Sequence, residues 1–188
     1  MTPVVIALLV FVGAFVLLFL WAIGIFNGIK RKEIATEAAW SDIDVQLKRR
    51  YDLIPNLVET VKGYATHEKS TFDAVISARA KAVNTTGVAA KAQAEGELSQ
   101  VLGRLMVLSE AYPDLKANQN FMALQEELTS TENKIGFSRQ HYNRSAQQYN
   151  EAIGVFPGVL VAGLMNFKER EYFEIENQAQ REAPKVQF

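Results

Sequence analysis

The residues best suited to chemistry in this 188-residue chain are charged side chains that interrupt or border apolar helical stripes. Arg50 takes the place of an apolar residue in one stripe, and Glu127 and Glu132 stand beside another. Because an unpaired buried charge is costly, a buried Arg50 needs a carboxylate partner. We therefore predict a polar layer in which Arg50 pairs with Glu127 or Glu132. The alternative is that these side chains reach solvent at the edges of the stripes.

Catalytic and metal-binding motifs are absent from the sequence. A di-iron helical protein needs Glu-x-x-His on two helices, and the chain has two histidines. Tyr64 stands three residues before His67, and Ser138 stands three residues before His141. Nucleotide-binding, serine-hydrolase and zinc-protease motifs do not occur, and the lack of cysteine excludes thiolate chemistry. The sequence predicts no enzymatic activity, no cofactor and no metal site.

The charge balance bears on possible partners. The chain carries 20 Lys and Arg against 21 Asp and Glu, a formal net charge of −1. Nucleic-acid binding depends on an excess of cations that displace counterions from phosphates. The composition therefore disfavours a nucleic-acid partner.

An uncharged, mostly apolar run occupies residues 4–26, about 34 Å as a helix, which is enough to span a bilayer. Its first following charges are Lys30, Arg31 and Lys32, which the positive-inside rule keeps on the cytoplasmic side and which suit anionic lipid headgroups. A cleaved signal peptide is the alternative, but the run is long and has no basic stretch before it. We predict a transmembrane anchor at residues 1–27 of a single-pass membrane protein, with the N-terminus outside and the C-terminal domain cytoplasmic.

After the anchor, apolar residues recur at helical spacing, with no sustained period-two alternation. Heptad-like stripes of the coiled-coil type contain the following residues: Trp40, Ile43, Leu47, Ile54, Leu57, Val61, Phe121, Leu124, Leu128, Ile135, Tyr142 and Tyr149. Pro55 lies inside the first stripe and predicts a kink or a boundary between two helices. The predicted fold is all-α: an antiparallel four-helix-type bundle with long helices at residues 28–174, followed by a loosely ordered tail at 175–188.

The segment from Val155 to Phe167 is nearly continuously apolar and too short to span a membrane. Three alternatives stay open: it covers the open end of the bundle, binds a partner or a second copy, or contacts the membrane. Its large side chains form a proposed interaction segment, namely Phe156, Leu160, Leu164 and Phe167.

Three long blocks carry a resemblance to a known family. These are AAWSDIDVQLKRRYDLIPNLVETVKGYATHE (Ala38 to Glu68), LKANQNFMALQEELTSTENKIGFSRQHYN (Leu115 to Asn143) and YNEAIGVFPGVLVAGLMNFKEREYFE (Tyr149 to Glu174). Together with the N-terminal span, they resemble the LemA family over almost the whole chain. The resemblance implies a single-pass bacterial inner-membrane protein with a mostly cytoplasmic helical domain and no assigned catalytic residues. Some relatives are encoded near membrane proteases, which implies a scaffold or adaptor role.

Two functions follow as hypotheses. The first is a membrane-tethered scaffold that assembles with copies of itself or with a membrane-protein partner such as a membrane protease, through the segment around Leu160 and Leu164. The second is an accessory subunit of a membrane enzyme or transport system that binds a ligand at the polar layer of Arg50, Glu127 and Glu132. A single span with no buried ionisable residue does not form a translocation pathway by itself.

Overall fold

The computed structural model describes residues 3–174, and every regular element in that range is helical. The predicted all-α fold class is confirmed. The helices are α1 (Pro3–Lys62), α2 (Lys69–Asn84), α3 (Val88–Ser109), α4 (Pro113–Lys116), α5 (Gln119–Gly154) and α6 (Gly158–Met165). The predicted four-helix arrangement stays a prediction, and the predicted tail at 175–188 lies outside the described residues.

Helix α1 is a single helix of 60 residues that contains Pro55. Proline removes one backbone hydrogen bond and often ends or kinks a helix, but α1 continues past it to Lys62. The alternative of a helix boundary at Pro55 is therefore wrong. The N-terminal part of α1 is long and apolar enough to cross a membrane: its most apolar 18-residue window has a mean hydropathy of 3.1 and is 0% buried.

Helices α2 and α3 are joined by a short connection and pack against each other. The Thr85 amide donates to the carbonyl of Lys81 at 3.0 Å and completes the end of α2. Gly87 then precedes α3 with a φ of 88°, a conformation that glycine adopts at no steric cost. The glycine thus allows the reversal that brings α3 back onto α2.

The described chain separates into two compact units. We call residues 3–41 with His141–Arg170 the anchor unit, and Asp42–Gln140 with residues 171–174 the Arg50 unit. Both α1 and α5 contribute to each unit. The predicted anchor at 1–27 and helical domain at 28–174 stay predictions.

Each unit has its own apolar core. The fully or almost fully buried side chains of the Arg50 unit include Ile43, Leu47, Ile54, Leu57, Val58, Val61, Leu98, Leu102, Leu105, Leu115 and Phe121. The core of the anchor unit consists of Ile29, Tyr149, Ile153, Val161 and Ala162. Most of the stripe residues singled out by spacing lie in one of these cores, which explains why helical periodicity predicted the fold class.

Candidate functional site

The Arg50 unit contains a buried polar cluster. Arg50 and Glu95 are each only 2% exposed. The Arg50 guanidinium donates through Nη1 to Glu95 Oε2 at 3.3 Å and through Nη2 to Ser99 Oγ at 2.8 Å. The Tyr51 hydroxyl donates to the other Glu95 oxygen, Oε1. One carboxylate thus accepts hydrogen bonds from both neighbours on α1, and we call Arg50, Tyr51, Glu95 and Ser99 the Arg50 cluster.

Helical spacing places these side chains. Arg50 lies on α1 between Leu47 and Ile54, which are both 0% exposed, so its side chain starts from the core face. Glu95 and Ser99 stand four residues apart on α3 and therefore share one face of that helix. The cluster thus joins α1 to α3.

The acidic partners proposed from sequence lie in different places. Glu132 Oε1 stands 3.8 Å from Arg50 Nη2, but its side chain is 57% exposed. Glu127 forms an ion pair with Arg49, the neighbour of Arg50, at the surface. The structure therefore brings Arg50 and Glu132 together at the edge of the cluster, and it places Glu127 against a different arginine.

The sequence analysis missed Glu95, the central carboxylate. A signal for it exists: the apolar stripe of Leu105, Leu102 and Leu98 on α3, extended backwards by three residues, arrives at Glu95. The position was missed because the start of α3 is rich in alanine and has no large apolar residues that would mark the stripe before Leu98. The same rule that singled out Arg50 as a charge within a stripe applies to Glu95.

Burial controls the ionisation of this cluster. Desolvation raises the pKa of Glu95 above its usual range, against the opposing effects of the Tyr51 hydrogen bond and the Arg50 charge. Burial, followed by the hydrogen bond with Glu95, likewise raises the pKa of Tyr51. Among residues 3–174, neither Arg50 Nε nor Gln46 Oε1 has a hydrogen-bond partner, although both atoms are buried.

The raised pKa of Glu95 predicts a pH-dependent stability. A carboxyl group whose pKa is higher in the folded state binds more protons there, so its contribution is complete below the unfolded pKa of about 4.3 and is lost as pH rises through the folded pKa. We expect the stability of the wild type to fall relative to Glu95→Gln as pH rises from this lower limit. Thermal unfolding of both full-length proteins in detergent, over a pH series, measures the difference. Parallel pH profiles would contradict the prediction.

The predicted interaction segment lies in the anchor unit. Phe156, Leu160 and Leu164 are exposed, with Leu164 at 84%. Phe167 instead packs inward, with its ring centroid 5.8 Å from that of Phe26 and 6.5 Å from that of Tyr149. The structure therefore leaves three of the four proposed residues on an outer surface.

The three juxtamembrane cations also differ from one another. Lys30 Nζ donates to Glu33 Oε2 at 2.6 Å within α1, and this hydrogen bond lowers the pKa of Glu33. Arg31 and Lys32 are exposed. Contact of all three cations with lipid headgroups stays a prediction. Lys30 already forms an ion pair with Glu33 and would interact with a headgroup in addition to that pair.

Arg170 fastens the segment after α6 to α1 and α5. Its guanidinium donates to Glu33 Oε1 at 3.0 Å and to Glu37 Oε1 at 2.8 Å. Its backbone N–H donates to Asn150 Oδ1 at 2.8 Å, and its carbonyl accepts from Asn150 Nδ2 at 2.9 Å. The guanidinium carbon also lies 5.9 Å from the centroid of the Tyr149 ring. This attachment was not predicted from the sequence, because nothing in the spacing relates Arg170 to Glu33.

We expect Arg170→Ala to loosen this attachment, with a cost of about 1 kcal/mol because the side chain is partly exposed. Hydrogen–deuterium exchange of the full-length protein should show faster exchange at residues 166–174. Arg144→Ala, at an exposed position on α5, is the control and should leave this segment protected. Equal exchange in the two variants would contradict the assigned role of Arg170.

Within the described part of the chain, no three His, Asp or Glu side chains converge as a metal site would require. His67 and His141 contribute to no such group.

Comparison with known proteins identifies the family. The LemA family profile matches residues 39–188. The chain belongs to the LemA family. This LemA-family chain is 29% identical to the magnetosome protein MamQ of Magnetospirillum gryphiswaldense, over 73% of the chain and 60% of the relative. It is 27% identical to the magnetosome protein MamQ 2 of Paramagnetospirillum magneticum, over 74% of the chain and 61% of the relative.

A further relative is the protein LemA of Metamycoplasma hominis, 26% identical over 76% of this LemA-family chain and 69% of the relative. The chain spans about three fifths of the length of the two magnetosome relatives. The resemblance stated from the three sequence blocks is therefore confirmed.

Proposed function

We propose that this LemA-family chain is a single-pass membrane scaffold or adaptor at the cytoplasmic face of the inner membrane. The observation that carries the proposal is the continuity of α1, which contains both the apolar run and core positions such as Leu47 and Ile54. No loop interrupts α1 between the apolar run and these core positions. The basic flank of Lys30, Arg31 and Lys32 supports the orientation.

Two further observations support a role without catalysis. The charged groups of the Arg50 cluster hydrogen-bond to one another inside a core, where they join α1 to α3. Neither the family name nor the names of these relatives denotes an enzyme. A scaffold acts by assembling with copies of itself or with a membrane-protein partner.

Native mass spectrometry of the full-length protein, extracted in native lipid, tests the scaffold role. We expect a defined multimer or a stable complex with another protein. A bare monomer would overturn the proposal.

Orientation has its own test. The chain has no cysteine, so an introduced one is a unique thiol. In spheroplasts, a membrane-impermeant maleimide should label Thr2→Cys at once and the exposed Asn133→Cys on α5 only after permeabilisation. The reverse pattern would contradict a cytoplasmic domain.

Two unpartnered atoms, one in Arg50 and one in the nearby Gln46, favour a second candidate, an accessory subunit with an internal ligand site. Arg50 Nε offers a donor and Gln46 Oε1 an acceptor, four residues apart on one face of α1. A small polar ligand would satisfy both atoms. This candidate predicts a bound small molecule in the native mass spectrum of the wild type.

The matched control replaces the cluster with apolar side chains, in the triple variant Arg50→Met, Tyr51→Phe and Glu95→Leu. Replacing a complete buried ion pair in this way is often neutral or stabilising, so the variant should fold and lose the ligand. A wild type without ligand, or a triple variant that retains it, would overturn the second candidate.

A further inference from the structure

Helix α6 lies against the end of the apolar run. Its buried residues Val161 and Ala162 share a core with Ile29 of α1, and Ile25 and Phe26 pack against the same core. Phe26 is the last residue of the uncharged run, and the first cations follow within six residues. These contacts place α6 beside the turns of α1 where the run changes from apolar to charged.

The opposite face of this segment is apolar and exposed. No charged residue occurs between Glu151 and Lys168. Six large apolar side chains of this segment are exposed, namely Val155, Phe156, Val159, Leu160, Leu164 and Met165. Large exposed apolar patches on a protein surface mark contact with a protein or a membrane.

We infer that α6, with Val155 and Phe156, is an interfacial membrane helix whose exposed face inserts among the lipids next to the transmembrane part of α1. With eight residues, α6 is about 12 Å long, too short to span a bilayer. An interfacial helix lies in the plane of the membrane surface, with its apolar face about 5–10 Å into the boundary of headgroups and acyl chains.

The position of α6 decides between lipid and protein as the occupant of this face. The apolar run is 0% buried over its most apolar window, and Ile25 and Phe26 at its end pack against the core that contains Val161 and Ala162 of α6. Exposed cations follow the apolar run at Arg31 and Lys32 and follow the α6 segment at Lys168, and such cations suit anionic headgroups.

The inference rests on the proposed function in one respect: α1 must cross a bilayer. Depth-dependent fluorescence quenching tests the insertion of α1 and the interfacial position of α6 separately. Full-length variants with one cysteine carry a nitrobenzoxadiazole probe and are reconstituted into vesicles of phosphatidylcholine and phosphatidylglycerol. The vesicles contain lipids with a nitroxide at a shallow or a deep acyl position. Phe15→Cys, within the apolar run, reports whether α1 is inserted.

Leu164→Cys tests α6, and Leu160→Cys repeats the test at a second exposed site, so that a local disturbance at one site does not decide the result. His141→Cys is the control within the anchor unit: it adjoins Tyr142, whose ring lies 5.2 Å from that of Trp40. Trp40 follows Phe26 by 14 residues, about 21 Å along α1. Far-ultraviolet circular dichroism should show equal helicity in all variants.

We expect the α6 probes to be quenched, more strongly by the shallow nitroxide than by the deep one, and the His141 probe to be unaffected. Unquenched α6 probes with a quenched Phe15 probe would overturn the interfacial helix and leave the membrane anchor standing. An unquenched Phe15 probe would overturn the anchor itself. Blue-shifted emission at Leu164 without quenching, lost when the protein is diluted in lipid, would assign the face to a second copy and overturn the inference.

Discussion

Replacing Glu95 with alanine is expected to lower the free energy of unfolding by about 3–5 kcal/mol, the usual cost of removing one partner from a buried ion pair. The substitution removes the acceptor for both Arg50 and Tyr51, and Arg50 is only 2% exposed. Its guanidinium would then retain Ser99 and the more distant Glu132. Chemical unfolding of the full-length protein in detergent, followed by circular dichroism, measures the loss.

Glu95→Gln is the matched control. Its amide oxygen still accepts from Arg50, and its amide N–H donates to the hydroxyl oxygen of Tyr51, which reverses the direction of that hydrogen bond. Because burial already raises the pKa of Glu95, a neutral side chain suits this position. We expect the glutamine variant to lose much less stability than the alanine variant. Equal stability of wild type and Glu95→Ala would contradict a structural role for the cluster.

The second large effect is expected at Gly158, the first residue of α6. A Cβ atom at this position would stand 1.9 Å from the carbonyl oxygen of Ala152. The clash is with backbone and not with a flexible side chain, so α6 would have to move away from α5. We expect Gly158→Ala to cost at least about 1–3 kcal/mol, the usual range for overpacking, and to expose Ile29. Hydrogen–deuterium exchange along α6 and residues 166–170 should accelerate.

Gly163→Ala in the same helix serves as the control for Gly158. A Cβ at Gly163 meets nothing within 4 Å, and alanine favours a helix over glycine by about 0.8–1.0 kcal/mol. This variant should therefore keep or strengthen the protection of α6. Similar exchange in the two alanine variants would show that the close approach at Gly158 does not hold α6 in place.

Helical periodicity in the sequence predicts which residues of a helix face a core, but it does not predict which residues of two helices pair with each other. Leu47 and Ile54 recur at helical spacing, and the structure buries both, since one-dimensional periodicity encodes which side of a helix faces a core. The same rule made Arg50 conspicuous. It does not encode which carboxylate on another helix meets that arginine, because the pairing depends on how the helices are packed. The sequence predicted Glu127 or Glu132 as the partner of Arg50. In the structure, the packing of α3 against α1 makes Glu95 the carboxylate that accepts hydrogen bonds from Arg50 and Tyr51.

In the anchor unit, too, local sequence predicts some features, while contacts between distant residues are not predictable from it. The apolar run and the unusual composition of the segment around Leu164 were evident from hydropathy. The attachment of Arg170 to Glu33 joins residues far apart in the sequence, and no local signal predicts it. Pro55 is the opposite case: the local signal predicted either a kink or a helix boundary, and α1 continues through it, with Ile54 and Leu57 both packed in the core.

Because α1 is continuous from Phe26 to Ile29, an insertion between these residues would rotate one part of the helix relative to the other. One residue inserted between them would turn Ile25 and Phe26 by about 100° away from the stripe that receives α6. An insertion of about seven residues would return them to within about 20°, although they would then stand two turns too far along the helix. Chimeras with a foreign transmembrane segment should therefore exchange the chain before Ile25 and keep residues 25–29 intact.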